Sequence, residues 1–361
     1  MNILHIVRTL EPGGLERMVR ELARGLRANG HRCHLACLYG PGSWFHPHEW
    51  DGVWTGGRRG GFAAVLSLCR YARKHGIELL HSHNPAPQRV AVAVGTLARI
   101  PVVHTKHGRN YPRRKHRVLQ NRALAFVTRR IVAVSEATRE TATRTEGIPA
   151  SKVVVINNGI DVALFVPDRA GHARKDEAVI GSVGRLAPEK NYGLLLEAFA
   201  HMRRRNGGSG SAREQLLLVG DGPERPMLAA KARELGLENR VTFAGPQPDP
   251  RPFYARMDVF VLSSSTEGMP MTLLEAGACG LPAVVTDVGG CGQIVRHGKT
   301  GLVVPPGDAK ALAEALSSLC ANAGVRRRMG AAARTHVEYH GGLRDMVRAY
   351  EQVYASVRQP R

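Results

Sequence analysis

Short apolar runs alternate with longer helix-compatible segments along this chain, and the alternation occurs twice. Residues 2–7 are apolar, Glu11-Pro12-Gly13-Gly14 breaks the run, and residues 15–28 have helical spacing before Gly30 stops them. Short apolar runs at 33–38, 78–81, 102–104 and 131–134 then alternate with helical segments such as 63–74 and 88–99. A polar stretch at 167–177 has no apolar periodicity and reads as a linker. Beyond it the pattern restarts, with strands expected at 179–183, 215–219, 241–243, 259–262 and 282–285 and helices at 191–202, 224–235 and 272–279. Strands separated by helices imply parallel sheets covered on both faces.

A chain of 361 residues with 43% apolar content supports two such cores. The expected organisation is a first α/β domain over 1–166, the linker 167–177, and a second α/β domain over 178–340. A terminal segment, 341–361, carries a helix at about 342–357 that returns to pack on the first domain. Open α/β sheets bind ligands outside the carboxyl ends of their strands, so two in series imply a ligand cleft between them.

Charge is unevenly spread. Through Phe165 there are 25 basic and 10 acidic residues, out of 51 and 30 in the whole chain, so the first half holds most of the net +21. Such a field attracts nucleic acid, anionic lipid or phosphorylated ligands. The run from Arg113 to Arg130 interleaves Leu119, Leu124, Phe126 and Val127 with basic residues. It reads either as a solvated face or as a surface that docks on anionic lipid beside a lipid-linked acceptor. The six cysteines form no C-x-x-C pair, the apolar start is too short for a signal peptide, and no run reaches a membrane span. The expected location is the cytoplasm, with a peripheral contact on the inner face of the plasma membrane left open. His81, Ser82 and His83 with His104 and His107 invite a zinc reading, but they lack a matching carboxylate or cysteine, so no metal site is expected.

Three segments carry candidate chemistry. Gly13-Gly14 stands where a strand gives way to a helix and can face an anion, although a tight turn explains both glycines equally. Gly184-Arg185 with Lys190 follows the first strand of the second domain, where an arginine fork and a lysine point charge suit a diphosphate. Glu267 lies at a helix entrance, where it can accept from sugar hydroxyls while the N–H groups near Gly268, Met269 and Pro270 meet a phosphate or sugar oxygen. Glu275, two turns on, sits among apolar neighbours and requires a hydrogen-bonded partner.

Taken in order, Gly13-Gly14 with Glu16, His107-Gly108, Ser135-Glu136, Asn158-Gly159-Ile160-Asp161, Gly184-Arg185 with Lys190-Asn191, Gly220-Asp221-Gly222-Pro223, Glu267 with Glu275, and Gly289-Gly290 resemble the retaining glycosyltransferases of family 4. The first half also resembles bacterial transferases of exopolysaccharide and exosortase loci. The resemblance implies a GT-B fold, two Rossmann-like domains whose parallel sheets face a central cleft, with the acceptor on the first and a nucleotide sugar on the second. It implies a metal-independent hexosyltransferase, needing no cofactor beyond the nucleotide-sugar donor, that transfers to a hydroxyl of a glycan or lipid-linked glycan in cell-surface polysaccharide synthesis. Nucleic acid is not an expected partner, since it leaves the two glutamates unexplained.

By the same resemblance Arg185 and Lys190 hold the leaving diphosphate, Glu267 orients the donor sugar, and His107 lies near the anomeric carbon. Glu275 accepts from the ribose hydroxyls and Gly14, beside Gly13, donates to the distal phosphate. Gly184, Gly222, Gly268, Met269, Pro270, Gly289 and Gly290 complete the donor site. One departure is Cys291-Gly292-Gln293, where the family often has a glutamate after the glycine pair, so the sugar contacts there are not assigned.

Overall fold

The apolar runs become parallel strands and the segments between them helices, because a parallel connection must recross the sheet and a helix does so while covering one face. In a computed structural model describing residues 1–56, 61–108, 115–167, 178–205 and 214–358, the chain forms two units. One is Met1–Gly159 with Leu343–Arg361, the other Ile160–Gly342.

In the first unit, β1 (Asn2–Val7), β2 (Arg32–Cys37), β3 (Gly52–Thr55), β4 (Leu79–His83), β5 (Val102–Lys106), β6 (Arg130–Ala133) and β7 (Val153–Val155) form a parallel sheet ordered β3-β2-β1-β4-β5-β6-β7. Its connections include α1 (Gly14–Ala28), α2 (Phe62–Lys74), α3 (Pro85–Ala98), α4 (Lys115–Val127) and α5 (Glu136–Glu140). On α1 the residues Met18, Val19, Leu22, Ala23 and Leu26 fall on one stripe and are buried. Leu4, Ile6, Leu80, Val94 and Val102 belong to an aliphatic core on one face of the sheet. Lys106, at the end of β5, donates to both oxygens of the buried Glu146 at 2.8 and 2.7 Å, and Asn121 of α4 donates to the same carboxylate at 3.3 Å. A buried charge is tolerated when paired and hydrogen-bonded in this way.

The second unit contains β8 (Val179–Val183), β9 (Gln215–Val219), β10 (Val241–Gly245), β11 (Val259–Leu262), β12 (Ala283–Thr286) and β13 (Gly301–Val304), all parallel, in the order β10-β9-β8-β11-β12-β13. Its helices are α6 (Tyr192–Arg205), α7 (Arg225–Glu234), α8 (Arg251–Tyr254), α9 (Met271–Ala278), α10 (Cys291–Ile294), α11 (Ala309–Ala321) and α12 (Ala323–His340). Leu195, Phe199, Leu216, Leu218, Val261 and Leu316 belong to its core. The last helix, α13 (Leu343–Arg358), belongs to the first unit. There Val347 packs on Gly25, where an added Cβ would lie 2.4 Å from its Cγ2, and Arg358 pairs with Glu78 at 2.8 Å.

Two boundaries differ from the sequence expectation. Residues 160–166, assigned above to the first domain, belong to the second unit: Ile160 N donates to Gly341 O at 2.8 Å, and Arg334 Nη1 donates to Val162 O at 3.3 Å and to Phe165 O. Gly341 and Gly342, assigned to the terminal segment, also fall in that unit. Of the linker, residues 168–177 lie outside the described residues. Strands β3, β7 and β13 were not expected.

Strand order reverses beside the first strand of each sheet, between β1 and β4 and between β8 and β11. Loops leaving adjacent strands in opposite directions open a crevice at such a point.

Candidate active site

In the second unit the loops after β8, β11 and β12 meet at this reversal. Gly184 N donates to Val219 O at 2.9 Å, Leu186 N to Asp221 O at 2.9 Å, and Glu224 N to Leu186 O at 3.0 Å, so the loop after β8 and the loop after β9 lie backbone against backbone. Only glycine fits there: a Cβ at Gly220, whose φ is +133°, would stand 2.0 Å from Gly184 O, and one at Gly222 would stand 2.3 Å from Leu186 O. A short turn, Pro188–Lys190, closes on Asn191 in the left-handed region with φ 50°. Ser263 Oγ donates to the carbonyls of Lys190 and Asn191 at 3.1 and 3.0 Å, and Ser265 N to Glu189 O at 2.9 Å, fixing this turn to the loop after β11.

That stitching brings Lys190 Nζ to Glu267 Oε1 at 2.6 Å, across 77 residues of sequence, with side-chain exposures of 19% and 10%. Ser264 Oγ donates to the same oxygen at 2.7 Å. Burial disfavours the Lys190 ammonium, but the Glu267 carboxylate outweighs it and raises the lysine pKa above its ordinary value. Behind the pair, Gly290 N donates to Gly268 O at 2.7 Å, and a Cβ at Gly289, φ +57°, would stand 2.1 Å from Glu267 O. Met269 and Pro270 are buried and lead into α9. Lys190, Glu267, Gly268, Gly289 and Gly290 are thus one cluster, with Gly184 and Gly222 supporting the Lys190 loop.

Arg185 stands apart from it. Its side chain is 62% exposed and pairs with Glu189 at 3.2 Å within its own loop, so in this structure the two cations do not form the expected clamp. An exposed guanidinium finds a local carboxylate at little cost, and such a pair is worth about 0–1 kcal/mol. Glu275 also departs from expectation. It is 0% exposed in α9 and accepts from Tyr254 Oη of α8 at 2.7 Å, so the partner its apolar setting demands is Tyr254, and no surface of it is open to a ribose.

In the first unit, Gly13 caps α1 in an extended conformation. A Cβ on it would lie 2.4 Å from Glu16 Oε2, so the start of the helix near Gly14 already faces a carboxylate rather than open space. His107 follows β5 and is half-buried. Its Nε2 lies 3.0 Å from Nδ1 of His83, and His83 Nε2 lies 3.2 Å from Nδ1 of His5. His81 is held by Thr105 Oγ1 at 2.7 Å and Tyr354 Oη at 2.8 Å, and Thr105 Oγ1 lies 3.1 Å from Tyr350 Oη of α13. Burial lowers the pKa of each histidine, to about 3 for His5 and His107 and well below the ordinary value for His81, His83 and His104; neighbouring imidazoles, and Lys106 beside His104, act in the same direction. His5, His81 and His83 bring one ligand nitrogen each within 4.8 Å of one another, a group that the sequence reading did not assemble. Both nitrogens of His81, however, already face hydroxyls.

His5, Ser263, Ser264, Tyr254, Tyr350 and Tyr354 were not singled out from the sequence. Strand parity places His5 on one face with Ile3 and Val7, but the adjacency of β1 to β4 is a property of sheet order, which the pattern does not carry.

Two parallel α/β units, the second with a lysine–glutamate pair at its switch point, define a GT-B protein. Residues 12–164 match the family model for Glycosyltransferase Family 4, and residues 167–336 the model for Glycosyl transferases group 1. The D-inositol 3-phosphate glycosyltransferase of Kribbella flavida is 31% identical over 311 residues, covering 78% of this chain and 72% of that one. The lipopolysaccharide core biosynthesis glycosyltransferase LpsE of Rhizobium meliloti is 36% identical over 154 residues, 43% of each chain. HepE of Anabaena, solved in complex with UDP, aligns with a TM-score of 0.84 at 22% identity, over 99% of this chain and 100% of that one. The chain belongs to glycosyltransferase family 4 and is a glycosyltransferase.

Proposed function

We propose that the enzyme transfers a hexose-type sugar, with retention of anomeric configuration and without a metal, from a nucleoside diphosphate sugar to a hydroxyl of a glycan or lipid-linked glycan in cell-surface polysaccharide synthesis. The observation that carries this reading is the Lys190–Glu267 pair at 2.6 Å, at the carboxyl ends of β8 and β11. As the anomeric C–O bond breaks, negative charge gathers on the leaving diphosphate. An ammonium kept protonated by Glu267 stabilises that charge without a metal. The second oxygen of Glu267 accepts from donor-sugar hydroxyls, and Arg185 swings from Glu189 to the phosphates at a cost of about 1 kcal/mol or less. The acceptor oxygen bonds to the anomeric carbon on the face that the phosphate leaves, and the departing phosphate oxygen takes its proton, so no side chain is assigned as base. His107, neutral, offers a hydrogen bond to the donor. The lipopolysaccharide-core name of the Rhizobium relative and the UDP bound to HepE support the acceptor class and the donor class respectively.

The test is slow donor hydrolysis across UDP-, GDP- and ADP-sugars, with and without EDTA. At least one donor should be hydrolysed, releasing the sugar with its configuration retained, and EDTA should leave the rate unchanged. Hydrolysis of none, or activity lost to EDTA and restored by a divalent ion, contradicts the reading.

The acceptor class connects to α4. No described helix is long and apolar enough to cross a membrane. Instead α4 exposes Leu119 (68%) and Phe126 (83%), with exposed Arg117, Arg122 and Arg129 nearby and no acidic residue from Lys115 to Arg130. Arg113 and Arg114 lie outside the described residues. We take this face to dock on anionic lipid, each basic residue adding about 1 kcal/mol near the surface. The protein should float with anionic vesicles at low salt and be released by salt or by Phe126→Glu. Retention in the soluble fraction at low salt would count decisively against docking.

A further inference from the structure

The sheet order places β1, β4 and β5 side by side, and parity puts His5, His83, Thr105 and His107 on one face. Two short contacts, 3.2 Å between His5 Nδ1 and His83 Nε2 and 3.0 Å between His83 Nδ1 and His107 Nε2, join three imidazoles into a file. His83 spends both nitrogens inside it. The file ends at His5 Nε2, which is buried without a partner, and at His107 Nδ1, which takes no hydrogen bond among the described residues.

We propose that His5 and His83 are positioning residues that fix His107 as the tautomer protonated at Nδ1, so that an N–H rather than a lone pair is what His107 offers to an oxygen of the donor. Only the identity of that oxygen rests on the glycosyl-transfer reading. The tautomer follows from the file alone.

An unbroken file of three neutral imidazoles has two polarities. If His107 donates through Nε2, then His83 donates to His5, and His5 is left with an N–H at Nε2 that is buried and has no acceptor. If His5 donates, the same site holds only a lone pair, His83 donates to His107, and the remaining proton lies on His107 Nδ1. A buried N–H left without an acceptor is rarer in folded proteins than an acceptor left with an unused lone pair. Trp50 sharpens the choice: its ring meets His5 edge-on at 6.1 Å, and its Nε1, a donor only, is also buried without a partner. The indole nitrogen, being a donor only, supplies no acceptor for an N–H at His5 Nε2. Burial keeps His5 and His107 neutral, with pKa values near 3, so the three-proton count holds at neutral pH. His81 is off the file, its nitrogens held by Thr105 and Tyr354.

The experiment is long-range proton–nitrogen correlation NMR of the full chain labelled in histidine, at pH 7.5, assigned with His107→Asn. His5, His83 and His107 should each read as protonated at Nδ1. His83→Asn, whose amide nitrogen replaces Nδ1 as donor, should keep the His107 tautomer and near-wild-type turnover. His83→Phe should release His107 to a mixture of tautomers and lower kcat about tenfold, the equivalent of one hydrogen bond, with donor KM little changed. A wild-type His107 protonated at Nε2 overturns the proposal even if neither variant folds, as does one equivalent of zinc held by these histidines in the purified protein. A wild-type spectrum with the expected tautomers, in a protein that hydrolyses none of the sugar donors, would leave the file standing and remove the donor contact proposed for His107.

Discussion

Lowering the pH from 7.5 to 5 is expected to remove most or all of the stability of the unit formed by Met1–Gly159 and Leu343–Arg361. His5, His81, His83 and His104 are 0–1% exposed, and burial lowers the pKa of each. In the unfolded chain each titrates near 6.5. Between those limits the unfolded state binds more protons than the native state, so stability rises with pH. The contribution of these groups is fully present above about pH 6.5–7 and is lost progressively as the pH falls below 6.5. Each neutral histidine costs on the order of 1 kcal/mol per pH unit there. Four together amount to several kcal/mol per unit, against a total of about 5–15 kcal/mol for a typical domain. All three tryptophans, Trp44, Trp50 and Trp54, lie in this unit, so indole fluorescence in a urea titration isolates it. A midpoint unchanged between pH 7.5 and 5 would refute the neutral, buried state of the cluster.

Replacing Lys190 by Ala is expected to lower kcat by roughly 10²–10³, the range seen when a single group that stabilises developing negative charge is removed. The fold should survive, because the loop is held by backbone bonds from Ser263 and Ser265 rather than by the ammonium. Glu267→Ala should be as damaging, for it removes the acceptor for sugar hydroxyls and the carboxylate that holds Lys190 charged. Because the two side chains are each other's partners and largely buried, each single change also leaves an uncompensated charge. A Lys190→Met/Glu267→Gln double variant should therefore be more stable than either single variant, although inactive. Arg185→Ala, which removes a 62% exposed side chain, should leave stability unchanged while reducing turnover. Turnover near the wild-type value in Lys190→Ala or Glu267→Ala would refute the site.

The class of fold, and where the chemistry lies along the chain, can be read from the order of amino acids alone. Apolar runs separated by helical periods leave a parallel sheet as the way to bury both strand faces, and they did so twice. The glycines at 184, 220, 222, 289 and 290, with Lys190 and Glu267, mark the loops of the second unit, because loop backbones that approach so closely exclude a Cβ at several of these positions. Local pattern stops at the order of strands. That Lys190 lies against Glu267 and not beside Arg185, that Glu275 belongs to Tyr254, and that His5 completes a file ending at His107 were all decided by tertiary structure. Each depends on which strands become neighbours, a choice made by packing whole faces together, and a period of two or 3.6 residues says which face a side chain takes but not what it will meet there.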